Sequence, residues 1–478
     1  MKKKQYLLLV LLLNCLLYDQ LLGLNLLLIA IFWVGLNYYN SPTRHDKSWY
    51  TAAILWIMAG LGQSLWYLDV GLPIYIIAAL HYFAVYYQPK TSFPISILQS
   101  FISWAKGLVN FFQFKVGYFN KSTDQTKKII QKLLLIILPI FISLLFLKIY
   151  QSASPKFAEL TSFIHLDFIQ WPFFISYFLL TICFYGFYYF RPSKKIESID
   201  INTAYQVPYK ESYLSEEDKK PFEWQLGILL VSMLSLLLLG FIVVDIQTIL
   251  TPTASELSHS QVVHQGINIL IISIILVMLI VVGLYRGSNN FQKSKTLHYL
   301  SYAWLFLNAI LIVLIAIKNY NYIADWGLTH KRIGVFIYLI MCLIGLAFTG
   351  RKIAKQTSFS HLLSKTAYTF LGLLTFYGLF NWNGIIAKYN LNPLHLDAAQ
   401  VDFPYLASLG PETLPYIKAY IGENNSTQLR DENTIHQSVF SLYQIYSQGW
   451  KSIPSYRLGG YLAYKKLNFD RLPSKNDK

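Results

Sequence analysis

Charge is what this chain has least of. Only 13% of its 478 residues are Asp, Glu, Lys or Arg, against roughly 25% in an average soluble protein. That shortage argues against an ordinary water-facing globular surface. Cysteine is nearly absent too. Cys15, Cys183 and Cys342 all sit inside apolar runs and read as small buried hydrophobes. No C-x-x-C pair occurs, which removes the commonest zinc and redox motifs, so no metal site and no cofactor is expected. Acid is scarce relative to base, 24 against 40, giving a net charge of +16. In a soluble domain such an excess would suggest nucleic acid. Here no basic recognition helix or aromatic-basic module accompanies it, and nucleic acid is not an expected partner. No catalytic or nucleotide-binding motif stands out, and no internal repeat of the kind found in many transporters is visible.

What the chain has instead is apolar length. Hydrophobic residues make up 54% of it and aromatics 17%, and the mean hydropathy is +0.40. Apolar runs recur that are long enough to cross a hydrocarbon layer of about 30 Å. They cover 5–18, 21–38, 49–66, 71–87, 129–149, 171–190, 224–248, 265–285, 298–317, 333–350 and 364–382. Tyr and Trp gather near their ends, as in interfacial belts. The expected fold is all-α: a polytopic transmembrane helix bundle of about eleven spans, with a small helical extracytoplasmic C-terminal tail. The transmembrane domain would occupy 1–382 and the tail 383–478. The start, Met1-Lys-Lys-Lys4 before Leu-rich sequence, resembles a signal peptide. No small-residue cleavage site follows, and a helical hairpin broken at Asp19-Gln20 is the expectation.

Orientation follows from Lys and Arg placement. With the N-terminus in the cytoplasm, segments on that side hold 24 of the 40 basic residues and the outer loops hold 4. The tail is then extracytoplasmic. The stretch 95–113 breaks the span pattern. Ser96, Gln99, Ser100, Ser103, Lys106, Gly107, Asn110 and Gln113 recur on one helical face, and the pattern predicts an amphipathic helix on the cytoplasmic membrane surface or packed on the bundle. A weaker one is expected over 158–169. Residues 191–223 mix both charge signs and read as a solvated cytoplasmic loop. In the tail, Pro411-Glu412-Thr413 opens a short helix reaching about Tyr420, and a second is expected from Asp431 to Trp450.

Three groups of polar residues are candidates for function. Thr329, Lys331 and Arg332 fall at the start of a span, where unpaired N–H groups and the helix dipole favour an anion. Anionic lipid is the candidate guest; the structural alternative pairs the cations with Asp325 or Asp402. Asp245, His259 and His264 lie in neighbouring hairpin arms and could relay protons, or could simply hydrogen-bond between helices. Asn14, His81, Asn268 and Asn308 could line a pathway, or serve as packing contacts.

Several patterns carry a resemblance: Val263-His-Gln-Gly266, Arg286-Gly287 with Asn290-Phe291, Trp304 and Asn308, Asn319 with Tyr322, and Gly327-Leu-Thr-His-Lys-Arg-Ile-Gly334. They continue in Asn381-Trp-Asn383, Ile385-Ile386, Tyr389-Asn390, Asp402, Tyr405-Leu406, Leu409 and Pro415, and Asn25 after Gly23-Leu24 fits the early hairpin. Together they resemble a family of uncharacterised bacterial multi-pass membrane proteins, a domain of unknown function. The resemblance departs at two positions: His330 stands where an aromatic, commonly Tyr, is expected, and Asn383 where Asp is expected. It implies a bacterial inner-membrane protein and no particular activity. The reading that composition and topology favour is a non-enzymatic envelope scaffold, sensor or assembly factor in the lipid bilayer. A transporter or lipid translocator is the alternative. A many-span membrane glycosyltransferase fits less well, because such enzymes usually place an acid in a long first outer loop, and Asp19 lies in a very short turn.

Overall fold

The computed structural model describes residues 2–40, 46–66, 68–89, 91–112, 171–193, 222–250, 274–285, 288–290, 295–396, 401–424 and 453–467, with Ile196 and Gln206. Among these residues helix is the only extended regular structure. Its elements are α1 (Lys2–Leu17), α2 (Leu24–Asn40), α3 (Lys47–Trp66), α4 (Gly71–Tyr87), α5 (Phe93–Phe112), α6 (Trp171–Tyr188), α7 (Phe222–Leu250), α8 (Thr296–Trp326), α9 (His330–Lys355), α10 (Phe359–Tyr377), α11 (Trp382–Asn390), α12 (Phe403–Ser408), α13 (Leu414–Asn424) and α14 (Leu458–Leu467). A further apolar helical stretch is Ile274–Leu284.

Helices α7, α8 and α9 are each long and apolar enough to cross a membrane, and α10 with α11 forms an apolar pair bent by 60°. Shorter apolar helices account for Gln5–Leu17, Leu24–Asn40, Gly71–Tyr87 and Pro172–Tyr188. Each expected run whose residues are described is thus helical, but among the described residues three helices, or up to four spans if the bent pair counts as one, are long and apolar enough to cross a membrane, and α3 over the expected run 49–66 is not one of them. The expected span 129–149, the helices 158–169 and 431–450, most of 191–223 and residues 265–273 lie outside the described residues. Several boundaries differ by a few residues, and one by more. The run expected to end at residue 317 continues as helix to Trp326, with Lys318 inside the helix and paired to Asp245.

The chain forms two compact units, Met1–Gln20 with Gln99–Ser193, and Leu21–Leu98 with Lys194–Lys478. In the first, α1 packs on α6. Asn14 donates from Nδ2 to the Phe173 carbonyl (3.0 Å) and accepts from the Ser176 hydroxyl (2.6 Å). These bonds make Asn14 a packing contact between helices. Ser103 on α5 donates to the Gly186 carbonyl (2.9 Å), and Gln99 exchanges bonds with the backbone of Ser193. The helix expected over 95–113 is therefore present, but its polar face is not turned to water. Ser96, Gln99, Ser100 and Ser103 are buried while Leu98 and Phe101 are exposed, so the helix is packed on protein through its polar stripe.

In the second unit, α2, α3 and α4 share an aromatic core of Trp33, Trp56, Tyr82 and Phe83. His81 lies within hydrogen-bond distance of the Ser96 hydroxyl (2.7 Å). Helices α7, α8, α9 and the stretch 274–284 bury Trp224, Val231, Ile274, Val281, Leu311 and Leu346 against one another. Their outer faces stay apolar, with Leu236 and Leu237 on α7 fully open, as expected of helices whose solvent is lipid.

Local chemistry sets the breaks near the site. Gly327 ends α8 with φ +80° and ψ −179°, a conformation essentially restricted to glycine. Thr329 then caps α9 by accepting from the Arg332 N–H, Asn381 caps α11, and Asp402 caps α12, which has Pro404 in its first turn. The tail folds back. Phe403, Leu406, Leu414 and Ile417 share a core with Ile333, Tyr377 and Ile386. Its expected first helix is observed and runs past Gly422 to Asn424.

Candidate functional site

Where the tail meets the start of α9, a cleft of about 700 Å³ opens. One wall is apolar, built from Leu68, Ile337, Met341 and Leu374. The other end is polar and carries His330, Asn383, Glu412 and Arg457. Four different segments supply these side chains, so the site exists only in the folded chain.

Asn383 organises the polar end. Its Nδ2 donates to the Leu409 carbonyl (2.8 Å) and to Glu412 Oε2 (3.3 Å). That fixes the amide's orientation and leaves Oδ1 to accept from His330 Nε2, 2.7 Å away. His330 is thereby assigned the Nε2–H tautomer. Its backbone N–H donates to the Tyr405 hydroxyl (3.0 Å). His330 and Asn383, where the resemblance implies an aromatic and Asp, are therefore each other's partners. Tyr with Asp would offer the same donor–acceptor sense.

Glu412 is 7% exposed. Burial pushes its carboxyl above the ordinary range, opposed in part by its own backbone N–H, by Asn383 and by the charge of Arg457. Gly410 lets the chain turn over this carboxyl with φ +122°; a Cβ there would sit 3.0 Å from Glu412 Oε2. Arg457 is anchored by Nε donating to the Leu22 carbonyl (2.7 Å), while Leu24 N–H donates to Tyr456 O (2.9 Å).

The expected anion donors separate. Thr329 and Arg332 are joined by the cap bond (3.3 Å). Arg332 is buried, and its guanidinium donates to the carbonyls of Trp326 (2.7 Å) and Gly327 and lies over the Tyr322 ring. Lys331 is exposed. Arg332 pairs with neither Asp325 nor Asp402; it braces the turn between α8 and α9. The turn is also held by Asn390, which exchanges bonds with Leu328 N–H (2.6 Å) and C=O (2.9 Å), and by Asn319, which donates to Arg332 O (3.0 Å).

Of the expected relay, Asp245 is buried on α7 and forms an ion pair with Lys318 on α8. His259, His264 and Asn268 lie outside the described residues. Asn308 donates back to the Trp304 carbonyl of its own helix (2.8 Å).

A family model described as "Domain of unknown function (DUF4153)" matches residues 23–420. The chain belongs to this family. The DUF4153 match starts just before α2 and ends within α13, so it contains His330, Asn383 and Glu412. Arg457 lies beyond it. No curated protein and no solved structure matches the chain.

Glu412 and Arg457 escaped the sequence reading. Pro411-Glu412-Thr413 looked like a helix start and nothing more, and a lone Arg in a polar tail carries no signal. The departures at His330 and Asn383 argued against giving those positions a chemical role, and nothing in the sequence connected them.

Proposed function

We propose that this DUF4153 protein is a non-enzymatic membrane protein of the bacterial inner membrane that holds an amphipathic ligand in the cleft at the start of α9, acting as an envelope sensor or assembly factor. The chain would cross the membrane about eleven times, with the N-terminus cytoplasmic and the tail outside. Active alkaline phosphatase fused after Lys478 is the expected topology result, and a silent fusion would overturn that orientation.

One observation carries the ligand reading. The cleft joins an apolar wall along α9 and α10 to a polar end of His330, Asn383, Glu412 and Arg457. Ligand sites of this kind are concave and mostly apolar, with a few placed polar groups. A lipid, or a lipid-anchored molecule from the outer leaflet, presents a tail and a headgroup in that arrangement. The test is mass spectrometry of small molecules retained by the full chain in mild detergent. The natural protein should retain one amphipathic species enriched over the bulk lipid, and Met341→Trp, which fills the apolar wall, should lose it. Equal retention by both proteins would refute the reading.

A second reading, translocation of a lipid or solute, is favoured by the ion pair of buried Asp245 with partly exposed Lys318 between α7 and α8, since ionisable pairs within spans often mark transport pathways. Substrate movement into vesicles that stops in Asp245→Asn would support it.

A further inference from the structure

The far end of α9, about 39 Å along its axis at 1.5 Å per residue, carries a second cavity of about 460 Å³. Arg351, Lys352, His361 and Lys365 line it, together with the buried Thr357, and no acidic residue does. The turn itself concentrates these groups. Gln356 closes α9 in the left-handed conformation, Thr357 N–H donates to the Lys352 carbonyl (3.3 Å), and Ser358 caps α10 by accepting from His361 N–H. The C-terminal end of one helix and the N-terminal end of the next therefore border the same space.

Ordinary causes cover part of this charge. Basic residues suit a helix C-terminus, and exposed cations such as Arg351 and Lys365 suit the cytoplasmic side of a membrane. For Lys352, which lies in the last turn of α9, the helix end is only part of the account. This lysine is 1% exposed, and its ammonium donates to a single carbonyl, that of Tyr285 (2.7 Å), with the Tyr285 ring beside it. Among the described residues no carboxylate pairs with it. A buried cation without a counter-charge is costly, and two further cations lining the cavity, Arg351 and Lys365, add to the local positive potential. An anion in the cavity would resolve both.

We propose that the cavity at the α9–α10 turn binds a phosphate-bearing anion. Arg351 and Lys365 approach it from the exposed rim, Lys352 from the floor, and His361 from the first turn of α10. The volume exceeds that of phosphate alone, which points to a phosphomonoester or a phospholipid headgroup. Basic pockets between helices suit such groups, and Arg adds bidentate geometry.

The experiment uses the full chain in nanodiscs of phosphatidylcholine, alone or with phosphatidylglycerol, and reads lipid retained by native mass spectrometry together with the unfolding midpoint. Phosphatidylglycerol should be retained preferentially and should raise the midpoint. The variant Arg351→Gln with Lys365→Gln, both at exposed positions, should lower retention about tenfold or more while keeping its midpoint in phosphatidylcholine alone. Arg351→Lys with Lys365→Arg should retain lipid as the natural protein does. Glycerol 3-phosphate tells the two sources apart. If it binds in phosphatidylcholine discs and displaces phosphatidylglycerol, the guest is a soluble phosphomonoester; if it does not bind, the guest is the lipid headgroup. The proposal is overturned if neither probe binds, if the glutamine variant retains as much as the natural protein, or if the charge-keeping variant loses binding equally.

Discussion

His330 Nε2 and Asn383 Oδ1 lie 2.7 Å apart, joining the first residue of α9 to the first turn of α11. Through Asn383 the contact continues to Glu412, so a single amide links a helix long and apolar enough to cross a membrane to the tail.

Removing that amide should be felt at both ends. Asn383→Ala leaves the His330 ring, the Leu409 carbonyl and the Glu412 carboxyl without a shared partner. The expected cost is about 1–3 kcal/mol, the usual penalty for a stranded buried polar group, read as a lowered thermal midpoint in detergent. An unchanged midpoint would mean that water replaces the amide at no cost.

The tail's docking should weaken as pH rises. Burial raises the folded-state pKa of Glu412 above its unfolded value. Between those two values the folded state binds more protons than the unfolded one, so stability falls with increasing pH. The contribution is fully present below the ordinary carboxyl range and is lost as pH climbs through the folded-state pKa. Thermal midpoints measured from about pH 4 to about pH 8 should show this decline, and Glu412→Gln should flatten it. An identical profile in the variant would assign the decline to another group.

Lys318 and Asp245 should be mutually dependent. Asp245 is almost fully buried while Lys318 is partly open, so breaking the pair by Asp245→Ala or Lys318→Ala should cost about 2–4 kcal/mol, somewhat less than for two fully buried partners. The double variant should recover most of the loss, as removal of both charges leaves none stranded. A double variant that is simply the sum of the singles would show that the pair has no coupling.

How much of this was legible in the sequence depended on the length scale of the signal. Apolar runs such as 224–248 declare themselves because lipid tolerates nothing else over that length. A cap such as Thr329 is local chemistry and lies where a helix start is expected, whereas the short helix capped by Asp402 went unread because the tail's first helix was expected at Pro411. Lys318 was misplaced in an outer loop, since only the tertiary contact with Asp245 shows why a cation is tolerated inside a helix. The polar stripe of α5 was visible, but periodicity alone does not say whether Ser96 and Ser103 face water or protein. The cleft was invisible because Leu68, His330, Asn383, Glu412 and Arg457 are brought together by folding and by no spacing along the chain.

The central claim is that the cleft beside α9 holds an amphipathic ligand, and photo-crosslinking in intact membranes tests it most directly. A photoreactive residue in place of Ile337, on the cleft wall, is compared with one in place of Leu236, on the open face of α7. The account predicts that position 337 captures one amphipathic species enriched over the bulk membrane, and that Met341→Trp abolishes the adduct. Capture at position 337 of the same lipid mixture found at position 236, or no adduct at all, would contradict it.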